Sequence, residues 1–240
     1  VINMAHGEIM MLGAYTTYVV QLLMPEYVNL SILVAIPAAF IVAGLAGVLI
    51  ERSIIRFLYG RPLETLLATF GVSLILQQLV RSVFTANNRP VITPTWMSGT
   101  LQINEAFSLT YNRLYIVLLT LIVFGALLAV LKLTRIGLDI RAVSQNRLMA
   151  RALGVRSQWV DALTFGLGSG IAGVAGVALS QISNVGPNLG QSYIIDSFMV
   201  VVFGGVGNIW GTLIGGMSLG LVSKVLEPFA GAVLGKIFVL

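Results

Sequence analysis

The sequence of 240 residues contains no cysteine, one histidine and nine acidic residues. Without cysteine there are no disulfides and no thiolate metal ligands, and a single histidine with so few carboxylates leaves little to build a metal cluster from. No metal and no cofactor are therefore expected. Charge of either sign is scarce. Charged residues make up 10% of the chain, against roughly 25% in an ordinary soluble domain, which removes the soluble enzymes from consideration. A hydrophobic content of 57% and a mean hydropathy of +0.95 define an integral membrane protein instead. Its apolar runs are continuous and do not alternate, which argues against a β-barrel. The expected architecture is an all-α, polytopic transmembrane bundle, read as a single transmembrane domain over residues 1–240. The length allows about seven or eight spans. That number includes spans at both ends expected to be truncated, since the chain opens on Val1 and stops at Lys236-Ile237-Phe238-Val239-Leu240 within an apolar run.

The apolar runs fall at Ile9–Met24, Leu30–Ile50, Thr65–Val80, Leu114–Leu133, Trp159–Ile182, Ile194–Val206 and Ile209–Ser223, with a final run from about Phe229. Pro25-Glu26, Pro62, Asn87-Asn88-Arg89-Pro90, Pro94 and Gly186-Pro187-Asn188 punctuate them, and Trp96 suits a membrane interface. Counting spans puts the Glu51–Glu64 and Lys132–Gln158 connections on one side. Together these connections hold nine of the fourteen basic residues, which makes that side cytoplasmic. The net charge of +5 is thereby accounted for by membrane orientation. It forms no aromatic-interleaved patch, and no nucleic-acid partner is expected.

Lys132–Gln158 is the one sizeable polar helix candidate, with Lys132, Arg135, Arg141, Arg147, Arg151 and Arg156 against a single acid, Asp139. Ile140, Val143, Met149 and Leu153 fall near helical spacing, and Arg147 and Arg151 lie one turn apart on another face, so an amphipathic helix is predicted over Ile140–Leu153. Two readings fit it. A basic amphipathic helix can lie on an anionic inner leaflet. Alternatively it docks on a partner subunit as a coupling helix, with the small residues Ala142, Ala150, Ala152 and Gly154 permitting close approach.

Polar residues inside apolar runs are costly in lipid unless they pair or line a wet path. Thr69, Ser73 and Gln77 recur every four residues and form a polar stripe, a candidate solute path that Gln78 and Glu8 would complete. Neighbours on a helix point about 100° apart, so only one of Gln77 and Gln78 is expected to face the path. The competing reading has them bonding between helices or sitting at the interface near Arg81. His6 reads as a hydrogen-bonded residue at a helix start rather than a proton relay. Asp196 reads as a carboxylate near a helix N-terminus, favoured by the dipole. Gly166, Gly170 and Gly173, and again Gly207, Gly211 and Gly215, have the spacing that lets membrane helices approach closely. Gly205-Val206-Gly207 has a superficial likeness to a dinucleotide turn, but Trp210 stands where a third glycine is required and no Lys-Ser or Lys-Thr follows a phosphate loop. No nucleotide site is expected on this chain.

Several motifs carry a family resemblance. Asn3-Met4-Ala5-His6-Gly7-Glu8 with Met11-Leu12-Gly13-Ala14-Tyr15, the stretch Arg141-Ala142 to Ala150-Arg151-Ala152-Leu153-Gly154, and Val202-Phe203-Gly204-Gly205-Val206-Gly207-Asn208-Ile209-Trp210-Gly211-Thr212 resemble motifs of branched-chain amino acid type permeases of ATP-binding cassette importers. Tyr59-Gly60-Arg61-Pro62-Leu63-Glu64-Thr65-Leu66-Leu67-Ala68-Thr69, Ser144-Gln145-Asn146-Arg147 and Asn184-Val185-Gly186-Pro187-Asn188-Leu189-Gly190-Gln191-Ser192-Tyr193 look most like the urea permease branch. The resemblance implies a transport subunit in the bacterial inner membrane, without its own ATPase site, that moves urea inward by alternating access. It also implies separate ATPase subunits, a second, different permease subunit and an extracytoplasmic solute-binding protein. Within it, Arg141, Ala142, Arg147, Ala150, Arg151, Leu153 and Gly154 would couple to the ATPase. Topology alone, not the resemblance, would put Asn184 and Asn188 in an outer loop that meets the binding protein. An importer of branched-chain amino acids or short amides is the alternative. A passive glutamine-lined channel is the rival class, and an intramembrane enzyme lacks a nucleophile and base at telling spacing.

Overall fold

The computed structural model describes the backbone of residues 3–104 and 107–239, and the side chains within them except those of 101–109, 227 and 229–239. Nine α-helices run through the described residues: α1 (His6–Leu23), α2 (Val28–Ser53), α3 (Pro62–Phe84), α4 (Tyr111–Leu133), α5 (Arg135–Gln145), α6 (Arg147–Ala152), α7 (Ser157–Ser180), α8 (Leu189–Gly204) and α9 (Ile209–Val239). A two-stranded antiparallel hairpin, β1 (Thr100–Asn104) and β2 (Phe107–Thr110), lies in the connection before α4. The bundle itself is helical, as composition requires.

Among the described residues five segments are long and apolar enough to cross a membrane: Pro25–Phe57, Pro62–Phe84, Tyr111–Leu133, Ser157–Ser180 and Ile209–Leu226. Helix α2, with 26 residues, reaches roughly 39 Å and exceeds a hydrocarbon core of about 30 Å. Pro37 inside it is tolerated because neighbouring structure compensates for the lost backbone bond. Helix α1 is less apolar than the five because it is covered by protein instead of lipid: Glu8, Ile9, Met11, Gly13, Ala14, Tyr15 and Thr17 are all buried. The apolar runs expected at Ile209–Ser223 and from Phe229 belong to one continuous helix, α9, which passes through Pro228. Asp196 sits two turns inside α8 and not at its N-terminus, because that helix starts earlier than the apolar run does.

The chain divides into two compact units, residues 1–190 and 191–240. In the first, α1, α2 and α7 pack against one another. Their contact is made by small residues. Ala35, Ala39, Ala43 and Gly47 recur every four residues along α2 and are all buried. Opposite them, Gly173 of α7 faces Ala39 and Ala43, Gly170 faces the Phe40 ring, Gly166 faces Val48, and Ser169 abuts Gly47. Lipid tails are as apolar as leucine, so burial from water drives no association here. Close backbone approach and dispersion supply it. In the second unit Gly204 of α8 touches Gly211 of α9, and Gly215 comes within van der Waals reach of Gly204 and Val200. Gly207 does something else. With φ +90° and nothing within 4 Å of where a Cβ would stand, it makes the turn between the two helices and packs against nothing.

Both ends of the first unit are tied by polar contacts. At one end Gln21 exchanges hydrogen bonds with the backbone of Ile92 at 2.7 and 2.9 Å. There too the Trp96 indole donates to the Asn29 carbonyl at 3.0 Å and meets Tyr115 edge-on, and Arg81 donates to Asn188 at 2.8 Å. The other end gathers the Glu51–Tyr59 connection and helices α5 and α6, the two segments richest in arginine and lysine.

Candidate functional site

The basic segment forms two helices where one amphipathic helix was expected. Asn146 breaks it: its backbone is extended (φ −150°, ψ 98°), and its side chain accepts from the Met149 N–H at 3.0 Å, capping α6. Thr134 caps α5 in the same way, accepting from Gly137 at 3.3 Å. At the far end of α6, Gly154 has φ +89°. Its N–H bonds the Arg151 carbonyl and the Val155 N–H bonds the Ala150 carbonyl, both at 3.0 Å, which is the paired closure of a glycine-terminated helix. Gly154 is therefore conformationally required where it stands.

The residues of α6 divide by face. Ala150 is buried and packs with Val143 and Val160, flanked by the half-buried Ile140, Ala142 and Val155. That cluster seats α5 and α6 on the start of α7. Arg147 also turns inward: its Nη2 donates to Asp161 Oδ1 at 2.8 Å and its guanidinium lies 5.0 Å from the centre of the Tyr59 ring. The Tyr59 hydroxyl donates to Glu51 Oε1 at 3.3 Å. Burial, then the charges of Asp161 and Glu51, push the Tyr59 phenol well above its ordinary range. Arg151 Nε donates to Ser157 Oγ at 2.7 Å, while Arg141 is exposed. Facing away from the bundle are Leu148 at 79% exposure, Met149 at 60% and Leu153 at 79%. Positions 148 and 152, and 149 and 153, are one turn apart, so these side chains form one apolar face. Sequence reasoning singled out Met149 and Leu153 but not Leu148, the third member of this face. The missed signal was Asn146 two residues before Leu148-Met149, a cap and the start of a short helix.

The polar residues in the apolar runs meet between α1 and α3. Gln77 Nε2 donates to Glu8 Oε1 at 2.7 Å, both side chains being buried. Thr69 Oγ1 accepts from the Met4 N–H at 3.1 Å and donates to the Thr65 carbonyl at 2.9 Å. Ser73 is buried on the same stripe. Gln78 is exposed, among Leu74, Ile75 and Leu79, and takes no part in this group. The pairing of Glu8 with Gln77 joins residues 69 apart in sequence; it is a bond between helices, the competing reading of Gln77, although the two residues were not matched as partners. Among the described residues no group of three or more His, Cys, Asp or Glu side chains is arranged to hold a metal.

A helical bundle with apolar spans and a basic, capped helix pair at one end defines a polytopic membrane protein. Comparison with known proteins gives its family. The family model of the branched-chain amino acid transport system permease component matches residues 1–240. The chain is 32% identical to the high-affinity branched-chain amino acid transport system permease protein BraD of Pseudomonas aeruginosa, over 98% of this chain and 78% of that one. It is 32% identical to the corresponding protein LivH of Escherichia coli K12, over 95% and 77%. The ribose import permease protein RbsC of E. coli K12 is more distant, at 26% over 94% and 69%. No solved structure gives a significant match. The chain belongs to the branched-chain amino acid transport permease family. It is a transport component of the plasma membrane and not an enzyme.

Proposed function

We propose that this chain is the transmembrane permease subunit of an ATP-binding cassette importer, working by alternating access with hydrolysis on separate ATPase subunits. The observation that carries this is the outward apolar face of α6, Leu148, Met149 and Leu153, on a helix whose opposite side is anchored by Ala150 and by Arg147 on Asp161. A six-residue helix is too short to lie as an independent membrane anchor, whereas exposed apolar side chains on a fixed mount suit a protein groove. Motion of the ATPase would pass through α6 into α7 and, through Tyr59 and Glu51, into α2. Arg141 and Arg151 would add charge contacts at the rim. An extracytoplasmic binding protein would deliver solute at the end holding Asn184 and Asn188, and a second, different permease subunit would complete the path.

Urea is the substrate this reading favours, on the phrasing of Tyr59–Thr69 and Asn184–Tyr193. Urea is neutral and offers one carbonyl acceptor and four N–H donors, which suits a lining of amide, hydroxyl and carboxylate groups such as Gln77, Ser73, Thr69 and Glu8. Branched-chain amino acid import is the second reading, favoured by the names of the relatives at 32% identity. Reconstitution with the partner subunits and competition of labelled urea uptake by leucine separates them. ATP-dependent uptake blocked by excess unlabelled urea but not by leucine supports urea, and a leucine-sensitive, urea-blind system overturns it. Uptake indifferent to ATP would make the protein a channel.

A further inference from the structure

At the basic end of the first unit, where α2 ends and α7 begins, a cavity of about 250 Å³ opens between Glu51, Arg52, Arg56, Tyr59, Arg151 and Asp161. Four guanidinium groups line it (Arg52, Arg56, Arg147 and Arg151) against two carboxylates, four minus two, an excess of two positive charges. The carboxylates are already engaged: Asp161 accepts from Arg147, and Glu51 accepts from Tyr59 with Arg52 Nε at 4.0 Å. Arg52 also lies 4.5 Å from the centre of the Trp159 ring, and Arg56 4.3 Å from that of Phe57. Among the described residues Arg56 and Arg151 have no carboxylate within ion-pair distance.

An apolar track leads to this cavity. On α2, Leu45 and Leu49 are exposed, and the spacing of four then three residues brings Arg52 onto their face. On α7, Trp159 and Leu163 are exposed one turn apart, and Phe57, which lines the cavity, is exposed too. Exposed aliphatic side chains that end in guanidinium groups, with tryptophan at the boundary, match a molecule with an apolar tail and an anionic head. Guanidinium is the side chain best shaped to grip phosphate oxygens.

We propose that this cavity is a binding site for a phosphate-bearing anion at the cytoplasmic membrane surface, the head group of an anionic phospholipid, gripped by Arg56 and Arg151 with Arg52 moving between phosphate and Trp159. A soluble phosphate shares the head-group chemistry but makes no use of the Leu45–Leu49 track. The bound head group lies against Arg147 and Asp161 and so steadies the mount of α6, whatever solute the protein carries.

Trp159 supplies the readout. The purified protein, in neutral detergent with its partner subunits, is titrated with dihexanoyl phosphatidylglycerol, dihexanoyl phosphatidylcholine and inorganic phosphate. The signal is the fluorescence difference between the wild type and Trp159→Phe. A saturable change with phosphatidylglycerol, weakened about tenfold in Arg56→Gln and in Arg151→Gln, is expected, with the thermal midpoint of Arg56→Gln in phosphatidylcholine unchanged. Tighter binding of phosphatidylglycerol than of phosphate identifies the lipid as the source, and equal binding of phosphate identifies a free anion. Equal responses to phosphatidylglycerol and phosphatidylcholine, or binding indifferent to both arginines, overturns the site. A Trp159 signal produced by the ATPase subunit alone overturns it too, and makes the cavity a partner contact.

Discussion

Arg147 of α6 donates to Asp161 of α7 at 2.8 Å, with the carboxylate largely buried and the guanidinium half-exposed. The pair fastens a short helix, otherwise held by one small apolar cluster and the Arg151–Ser157 hydrogen bond, to the α7 span. Replacing either residue by alanine should cost about 1–3 kcal/mol, because the remaining charge loses a charge-assisted hydrogen bond. The double variant should cost less than the sum of the two. A double-mutant cycle on thermal or denaturant stability reads this, and strictly additive losses would show that the pair does not interact.

Leu148→Glu and Leu153→Glu should leave folding within about 0.5 kcal/mol of wild type, since both side chains stand clear of the core, and should abolish ATP-dependent uptake. Ala150→Glu should fail earlier, at expression or stability, because it forces a charge into the Val143–Ala150–Val160 cluster. Separate measurements of yield, thermal midpoint and uptake distinguish the two kinds of loss. Full uptake in both leucine variants would remove α6 from the coupling path.

Gly154→Ala should destabilise by about 1 kcal/mol through its positive φ, and Gly154→Asn by less, although each has open space around it. Thermal midpoints of the three proteins test this. If alanine matches glycine, the conformational argument fails and close approach of a partner becomes the better explanation of Gly154.

Gln77→Leu should be far worse than Gln78→Leu. The first strands the buried Glu8 carboxylate without its amide partner, at a cost of several kcal/mol, and the second changes an exposed side chain. Glu8→Gln should rescue Gln77→Leu in part by removing the charge. Stability and uptake measured together separate a structural tie from a solute contact: a tie moves both, a contact moves uptake alone.

Tyr59 sets a pH limit at the basic end. Its phenol is pushed up from an ordinary value of 10.0 by burial and two nearby carboxylates, so the folded state holds this proton more tightly than the unfolded chain does. The stability this contributes is fully present below pH 10 and is lost as pH rises above it toward the folded-state value. Tyr59→Phe should flatten that alkaline limb, and an unchanged limb in a denaturation series between pH 9 and 11 would assign it to other groups.

Legibility of the site varied with the range of the interaction. Five of the apolar runs carried their own length and composition, so α1, α2, α3, α4 and α7 were readable to within a few residues, and counting spans put both basic connections at one end, where Arg147 meets Tyr59 and Asp161. The break at Asn146 was present as a local cap signal but was overridden by the longer amphipathic period around it. Gly207 and Gly154 shared the spacing or company of packing residues while serving as turns, because spacing does not encode φ. The stripe Ala35, Ala39, Ala43 and Gly47 was visible in the sequence and passed over, since alanine is unremarkable in an apolar helix until its partner is known.

The sequence by itself determined that this protein lives in a membrane, that it is helical, that its two basic connections share one end and which family it resembles, because hydropathy, helix length and charge bias are local or additive properties. Tertiary structure alone decided which way each polar side chain turns. It set Gln77 against Glu8 and left Gln78 outside, and it turned Arg147 inward onto Asp161 and Leu148 outward. The physical reason is that a helix fixes only the angles between its own residues. Its rotation about its axis, and hence what each face meets, is set by packing against helices far away in the chain.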